Sequence, residues 1–170
     1  LVFRWFARRK MPNPAFKNAT GAAPSFSSEQ DQAQILQRSD SSFNLSSFKE
    51  QRMDDFLKIQ SAWNGRDLSP VSSIITSDFQ RSLDSDIESL KKSQRINRLE
   101  NIAIRGASLV ESWQEPGKEY ATLKFQAQLL DFTIDENTQV VVEGDRNQPV
   151  KFEEEWTFVR SVGVTTSNPW

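Results

Sequence analysis

The sequence predicts an α+β domain in which helices pack on an antiparallel sheet of four to five strands. Between residues 47 and 95, apolar residues recur at helical spacing. From Leu99 onward they recur at every second residue, and turn sequences separate the segments. A helical period followed by a strand period, with no alternation between the two, indicates helices packed against a sheet of hairpins.

Three helices are predicted in the first half. Ser47 and Glu50 form a capping-box pattern, and Gly65 is a stop signal. The apolar stripe between them consists of Phe48, Phe56, Ile59 and Trp63. Ser69 followed by Pro70 predicts a short helix through Ile75. Thr76 or Ser77 then caps a third helix, whose stripe is Phe79, Leu83, Ile87 and Leu90.

The strands fill the second half. The first runs from Leu99 to about Trp113 and ends at the turn 115–117. The second alternates polar residues with Leu123, Phe125, Ala127 and Leu129. A short strand at residues 140–142 and a longer one at 151–160 follow, and a last strand would begin near Val164.

Composition excludes several chemistries. The 170 residues contain no cysteine and no histidine. Thiolate catalysis, disulfides and Ser-His-Asp triads are therefore ruled out, and the commonest metal ligand is missing. We expect no cofactor and no metal site. The acidic residues Asp84, Asp86 and Glu88 are interpreted as a solvated helix face, and Asp131 and Asp135 as turn residues.

Charge divides the chain in two. Residues 1–17 hold five basic residues and no acidic one, which leaves 16 basic against 23 acidic residues in the remainder. An acidic body is a poor binder of nucleic acid, so we expect no such partner for it. RNA or ribosome binding through the basic start is retained as a rival hypothesis.

Residues 1–11 are predicted to be a membrane-proximal flank. They interleave aromatic and basic side chains, as the aqueous end of a membrane span does: Arg4, Trp5, Phe6, Arg8, Arg9 and Lys10. Because a span takes ~20 apolar residues, the span itself would lie upstream of Leu1. The alternatives are a short amphipathic surface helix or an unstructured basic start.

Residues 12–46 are rich in Pro, Ala, Ser, Asn and Gln and predict a linker, with a short helix around residues 29–39. The folded domain is therefore predicted at residues 47–170.

Glu154 is the acidic residue that raises a functional question. Strand alternation places it on the same face as Phe152, Trp156 and Phe158. The functional interpretation is a carboxyl group in a pocket, acting as acid, base or ligand anchor. The structural interpretation is a carboxylate that accepts hydrogen bonds from backbone, from a tryptophan indole, or from an arginine such as Arg95, Arg98 or Arg105. Because no second catalytic group is identifiable, the structural interpretation is favoured.

The order of these features resembles a known family. The run FLKIQSAWNGRDLSPVSSIITSDF, the strand pattern FxExWTFxR and the final NPW are similar to the C-terminal domain of the forty-four-kilodalton subunit of the mitochondrial inner-membrane translocase. They resemble still more the bacterial members, which carry a membrane segment before this domain. The resemblance implies a curved antiparallel sheet in a cystatin-like or nuclear-transport-factor-two-like cone with a pocket. It also implies a C-terminus truncated within the last strand.

The resemblance sets the functional expectation. It implies a non-enzymatic, membrane-associated scaffold in protein translocation, with anionic lipid and an unidentified protein as partners. The basic flank would place the domain on the cytoplasmic side of a bacterial inner membrane. The rival function is a binding protein for a small hydrophobic ligand, or an enzyme of the same cone fold. Its pocket would be lined by Trp63, Phe125, Leu129, Glu154, Trp156 and Phe158.

Overall fold

The computed structural model describes residues 28–163 and Trp170. Its helical elements are α1 (Glu29–Gln37), α2 (Leu45–Gly65), a 3-10 helix (Ser69–Val71) and α3 (Ser77–Lys92). Its strands are β1 (Arg95–Glu115), β2 (Lys118–Asp135), β3 (Val141–Gly144) and β4 (Val150–Ser161). The predicted α+β class, with three helices packed on an antiparallel sheet, is confirmed, and four strands lie in the described part.

Strand β2 is central to the sheet and pairs with each of the other three described strands. β1 lies along one edge of β2, from Arg95 opposite Asp135 to Glu115 opposite Lys118. Two strands share the other edge of β2. β4 pairs with residues 118–129 of β2, and β3 pairs with residues 132–134. All pairings are antiparallel.

The sheet curves along β1. Its register against β2 shifts three times, between Glu100 and Ala103, between Ile104 and Gly106, and between Leu109 and Glu111. Each bulge adds backbone on one strand only and therefore bends that strand and increases its twist. Asn101, in the first bulge, has a left-handed φ of 51°. These bulges give the sheet the curvature that the resemblance implied.

The helices cover one face of the sheet. Odd-numbered residues of β2 face them, and Ala121, Leu123, Phe125 and Leu129 are almost fully buried there. Phe56 of α2 packs on Phe125 with 5.1 Å between ring centroids. A smaller apolar cluster, made of Ile96, Leu130, Phe132 and Ile134, lies at the even-numbered positions near the β3 end.

Helix α1 corrects the predicted boundary at residue 47. Ala33 and Leu36 are buried in the main core, so α1 is part of the fold and does not belong to a linker. Ser28 caps the helix in a reciprocal capping box with Asp31. The part of the predicted linker that lies before Ser28, residues 12–27, is outside the described residues.

Most of the other predicted helix ends lie within a few residues of the observed ones. Helix α2 begins earlier than predicted, since the Asn44 side chain accepts a hydrogen bond from the Ser47 amide and caps the helix. It ends at Gly65 as predicted, with Arg66 left-handed at the C-cap. Thr76 caps α3 as predicted, but the short helix at Ser69 is only a three-residue 3-10 turn. The last strand expected near Val164 lies outside the described residues.

Candidate functional site around Glu154

Strand β4 carries the predicted alternation. Lys151, Glu153 and Glu155 are exposed, whereas Phe152 and Glu154 are half-buried. In the sheet, Glu154 lies opposite Phe125 of β2, and Trp156 lies opposite Leu123. The alternation therefore brings one carboxyl group of the three consecutive glutamates to the helix-facing side.

The Glu154 carboxylate is bound by an indole of its own strand. Trp156 Nε1 donates to Glu154 Oε2 at 3.0 Å. Of the partners considered from sequence, the tryptophan indole is thus the one observed. Because residues two apart on a strand share a face, the same alternation that points the carboxylate inward also supplies its donor.

Aromatic rings surround this pair. The centroid of the Trp156 ring lies 4.9 Å from that of Phe56 on α2 and 6.0 Å from that of Phe79 on α3. Phe125 meets it edge-on at 5.9 Å. Two helices and two strands therefore contribute rings to the wall on which Glu154 lies.

Burial among these rings disfavours the ionised carboxylate. It raises the pKa of Glu154 from 4.5 to about 8, and the hydrogen bond from Trp156 offsets only part of this effect. A carboxyl group of this kind is neutral in about nine of ten molecules at pH 7. It can therefore donate a hydrogen bond or exchange a proton near neutral pH, which an exposed glutamate does not do.

The five apolar residues among the six predicted as pocket lining divide between two core clusters on the side of the sheet that the helices cover. Phe125, Trp156 and Phe158 belong to the cluster near α1, and Trp63 and Leu129 belong to the cluster near α3. Trp156 contacts both. Trp63, Phe125 and Leu129 are almost fully buried as core residues, so the accessible part of the wall is Glu154, Trp156 and Phe158. The predicted flank residues Arg4, Trp5, Phe6, Arg8, Arg9 and Lys10 lie outside the described residues.

An open groove of about 410 Å³ lies beside the C-terminal half of α2. Its lining consists of Lys58, Ser61, Ala62, Gly65, Asp67, Pro70 and Val71. None of the predicted pocket residues contributes to it.

Sequence reasoning missed a buried ionic network at the opposite end of β4. Arg160 Nε donates to Glu119 Oε2 at 2.6 Å, and Arg160 Nη1 donates to Asp40 Oδ2 at 2.9 Å. Glu119 also accepts hydrogen bonds from Ser39 and Gln114. All three charged residues are at most 9% exposed. The network joins the α1–α2 loop to the ends of β2 and β4.

Trp170 completes this network. Its ring lies over the Arg160 guanidinium, 4.4 Å from centroid to Cζ, and packs against Phe43 and Phe48. Hydrogen bonds from Ser42 and Arg160 hold the pKa of Asp40 below its usual range, against the opposing effect of burial. The tryptophan of the terminal NPW is therefore a structural contact of the fold.

A second missed network corrects the interpretation of Asp131 as a turn residue. Asp131 is 8% exposed and lies on the helix-facing side of β2. Trp63 Nε1 donates to Asn97 Oδ1 at 2.9 Å, and Asn97 Nδ2 donates to Asp131 Oδ1 at 2.8 Å. Burial is the main cause that raises the pKa of Asp131. The alternation that buries Leu123, Phe125, Ala127 and Leu129 predicts, when it is extended by one step, that Asp131 is buried as well.

The remaining acidic groupings form no site in the part of the chain that the structure describes. Asp84 and Glu88 are exposed on α3, as a solvated helix face should be, whereas Asp86 is half-buried. No group of three or more acidic side chains within residues 28–163 is arranged to hold a metal ion. Asp135 does act in a turn, since its carboxylate accepts from the amides of Asn137 and Thr138.

Comparison with known proteins gives the family. A search of curated proteins returned no match. None of the described helices is long and apolar enough to cross a membrane. The family model of the Tim44-like domain matches residues 30–170, which includes α1 from its second residue, the four described strands and Trp170. The chain therefore belongs to the Tim44-like domain family, which is associated with membrane and protein interactions.

Proposed function

We propose that this domain is a non-enzymatic scaffold in a membrane-associated, translocation-related assembly, held at the bilayer through residues 1–11. Family membership already suggests the membrane-associated, translocation-related part. The proposal adds that the domain works by binding, with anionic lipid and a protein as partners, and without catalysis.

The observation that supports the absence of catalysis is that buried charged residues are paired with one another. Arg160, Glu119 and Asp40 join three segments through hydrogen bonds of 2.6 and 2.9 Å. Arg52 and Asp55, also buried, form a pair of 2.8 Å within α2. Charges held in such pairs are fixed by their partners and are poorly placed to transfer protons to a substrate. This arrangement supports a rigid interaction module.

The lipid part of the proposal rests on the sequence of residues 1–11. Arg4, Arg8, Arg9 and Lys10 place four positive charges beside Trp5 and Phe6. Each basic residue near an anionic surface contributes about 1 kcal/mol of attraction. The same positive charge motivates the further proposal that the domain lies on the cytoplasmic side of a bacterial inner membrane.

Vesicle binding tests the lipid contact. The full chain should bind vesicles containing anionic lipid and should bind zwitterionic vesicles poorly. A variant with Arg4, Arg8, Arg9 and Lys10 changed to alanine should lose most of this binding. The matched control changes four exposed basic residues of the body, Arg81, Lys91, Lys92 and Arg105, and should bind nearly as the wild type does. Equal losses in both variants would refute a contact made by residues 1–11.

Protease accessibility tests the sidedness. In spheroplasts that display the tethered protein, added protease should leave the domain intact, with a cytoplasmic reporter as the integrity control. Cleavage from the periplasmic side would end the proposal of a cytoplasmic domain.

One observation favours a second function, the binding of a small hydrophobic ligand. Glu154, whose pKa is raised to about 8, is half-buried and bound to Trp156, whose ring in turn meets that of Phe79 edge-on. A neutral carboxyl group on an aromatic wall suits a ligand with an apolar body and one hydrogen-bonding group. If Glu154→Gln abolishes binding of a hydrophobic probe without lowering thermal stability, the ligand function gains. If probe binding is unchanged, the scaffold function stands.

A further inference from the structure

The side of the sheet that faces away from the helices carries a second aromatic group at the β1–β2 hairpin. Trp113 and Tyr120 stack in parallel, with 4.7 Å between centroids and 5° between planes. Trp113 Nε1 and Tyr120 Oη both donate to the carboxylate of Glu115, at 3.3 and 3.2 Å. Two rings and a carboxylate are thereby held as one unit on the surface.

Neighbouring residues extend this unit into a patch. Glu111 lies on the same face of β1, two residues before Trp113, and Val159 of β4 lies opposite Tyr120. We call Glu111, Trp113, Glu115, Tyr120 and Val159 the hairpin patch. Trp113, Tyr120 and Val159 are half-buried, whereas Glu111 and Glu115 are exposed. The patch therefore presents ring surface and negative charge together.

The two glutamates of the hairpin patch form no salt bridge with the described residues. This holds for Glu115 although exposed Lys118 lies opposite it in the hairpin. The two β4 glutamates of this face, Glu153 and Glu155, are set apart from the aromatic pair. Glu153 accepts a hydrogen bond from Gln126 and lies 3.7 Å from Lys124, and no aromatic ring of the described residues stacks on it.

A carboxylate beside aromatic faces recognises a cationic side chain that carries apolar groups. The charge attracts the cation, and the ring faces add cation–π attraction of about 0.5–1 kcal/mol at an exposed site, according to the general magnitude of that interaction. Arginine is the preferred cation because its planar guanidinium both stacks on rings and pairs with carboxylates.

The chain itself contains a segment of this chemistry. Residues 1–17 hold Arg4, Arg8, Arg9, Lys10 and Lys17, no acidic residue, and the aromatic residues Trp5 and Phe6. The charge sign and the aromatic content both complement the hairpin patch. The rest of the chain, with 16 basic and 23 acidic residues, offers no other stretch with so many basic residues and no acid.

The point at which this segment joins the fold also fits. Helix α1 begins at Glu29, whose Oε1 accepts from the Leu109 amide at 2.7 Å, so the described chain starts beside β1 only a few residues from Trp113. Four strand residues span about 13 Å. The residues between Lys10 and Ser28 can extend to at most about 60 Å, which is ample for the segment to reach the patch.

We propose that residues 1–17 dock on the hairpin patch of the same chain, with arginine side chains on the Trp113 and Tyr120 rings and paired with Glu111 and Glu115. The same basic residues are those proposed above to bind lipid, so docking and lipid binding compete. The competition rests on the proposed lipid contact, but the docking does not. The free domain thus holds its basic segment on its own surface until an anionic membrane displaces it.

Zero-length crosslinking of the full chain tests the docking. A carbodiimide joins a lysine amine to a carboxyl group as an amide with loss of water, so it reports direct contact. At low salt, crosslinks from Lys10 or Lys17 to Glu111 or Glu115 should exceed those to Glu153 and Glu155. They should fall when salt at about 0.5 M screens the contact. Crosslinks that are absent, or equally spread over the four glutamates, would overturn the proposal.

An isotope-mixing version decides between one chain and two. In a mixture of ¹⁵N-labelled and unlabelled protein, docking within a chain gives only crosslinked peptides of uniform label. Crosslinks that join labelled to unlabelled peptides would identify a second copy as the occupant and would overturn docking within one chain.

Vesicle binding tests the competition. Glu111→Gln combined with Glu115→Gln removes the charge while a side-chain oxygen remains for Trp113 and Tyr120. This variant should bind anionic vesicles about two- to fivefold more tightly than the wild type at low salt, because docking no longer competes. The matched variant Glu153→Gln with Glu155→Gln removes the same charge from the same face. It should bind anionic vesicles less tightly than the variant of Glu111 and Glu115 does. Equal affinities of the two variants would overturn the competition, whatever the crosslinks show.

Discussion

Asn64 supplies to Leu99 both hydrogen bonds that a neighbouring strand would provide. Its Nδ2 donates to the Leu99 carbonyl oxygen at 2.7 Å, and its Oδ1 accepts from the Leu99 amide at 2.8 Å. On the side away from Asn64, Leu99 lies opposite Asp131 of β2. A side chain near the end of α2 therefore covers the outer edge of β1 at this residue and ties the helix to the sheet.

Replacing Asn64 should destabilise the fold. Asn64→Ala leaves the amide and the carbonyl of Leu99 without these partners, at a cost of about 1–3 kcal/mol in the free energy of unfolding. Alanine is the better helix former, so its intrinsic effect has the opposite sign. Urea unfolding measures the change, and Asn147→Ala in an exposed turn is the control. A loss equal to that of the control would contradict this role.

The network around Arg160 predicts a larger effect. Arg160→Met leaves the carboxylates of Glu119 and Asp40 buried without their shared cation. Removal of one partner of a buried pair costs about 3–5 kcal/mol. The control is Arg81→Met, whose pair with Asp78 is mostly exposed and contributes little. Unfolding free energies of the two variants that agree within about 1 kcal/mol would show that the buried network is not a stabilising contact of this size.

Much of the sheet and part of the site follow from alternation alone. Odd-numbered residues of β2 face the helices, and extending this rule by one step in each direction also places Glu119 and Asp131 inside. The same rule on β4 puts Arg160 on the face of Phe152, Glu154 and Trp156. The sequence therefore predicts that the side chains of Glu119, Asp131 and Arg160 face the helices. It does not predict their hydrogen-bond partners, because those partners are distant in the chain.

Helix α1 shows why the boundary could not be predicted in the same way. Its buried apolar residues are only Ala33 and Leu36, so its composition resembles a linker. Polar side chains hold it instead, since Gln32 Oε1 accepts from the Ser112 amide at 2.7 Å and Ser112 Oγ donates to the Gln32 carbonyl oxygen at 2.7 Å. Such contacts bind a helix to a strand edge without a periodic apolar signal. Asp40, in the loop after α1, likewise lies in no repeating pattern.

Glu154 predicts a specific pH dependence. Its pKa is raised from 4.5 to about 8, so between these values the folded chain binds a proton that the unfolded chain has released. The contribution of Glu154 to stability is therefore present at low pH and is lost as pH rises toward 8, with no further change above it. Urea unfolding at several pH values should show Glu154→Gln gaining stability relative to the wild type over this window. Glu155→Gln, exposed on the other face, should not gain. A constant difference between Glu154→Gln and the wild type from pH 5 to pH 9 would contradict the raised pKa.

Two glycines separate a backbone effect from a packing effect. Gly144 and Gly117 have nearly the same left-handed φ, 77° and 80°. A Cβ atom on Gly144 would lie 2.3 Å from the Asp131 carbonyl oxygen, whereas a Cβ atom on Gly117 would meet nothing within 4 Å. Both alanine variants carry the left-handed cost of about 1–2 kcal/mol, but Gly144→Ala must also push β3 away from β2.

We therefore expect Gly144→Ala to lower the free energy of unfolding by about 1–3 kcal/mol more than Gly117→Ala does. Hydrogen exchange locates the damage, because the amides that pair β3 with β2 around Phe132 and Ile134 should lose protection in Gly144→Ala alone. The hairpin amides near Gly117 should keep theirs in that variant. If both alanine variants lose the same stability, the close approach of β3 to Asp131 is not a constraint on the fold, and left-handed strain alone explains both glycines.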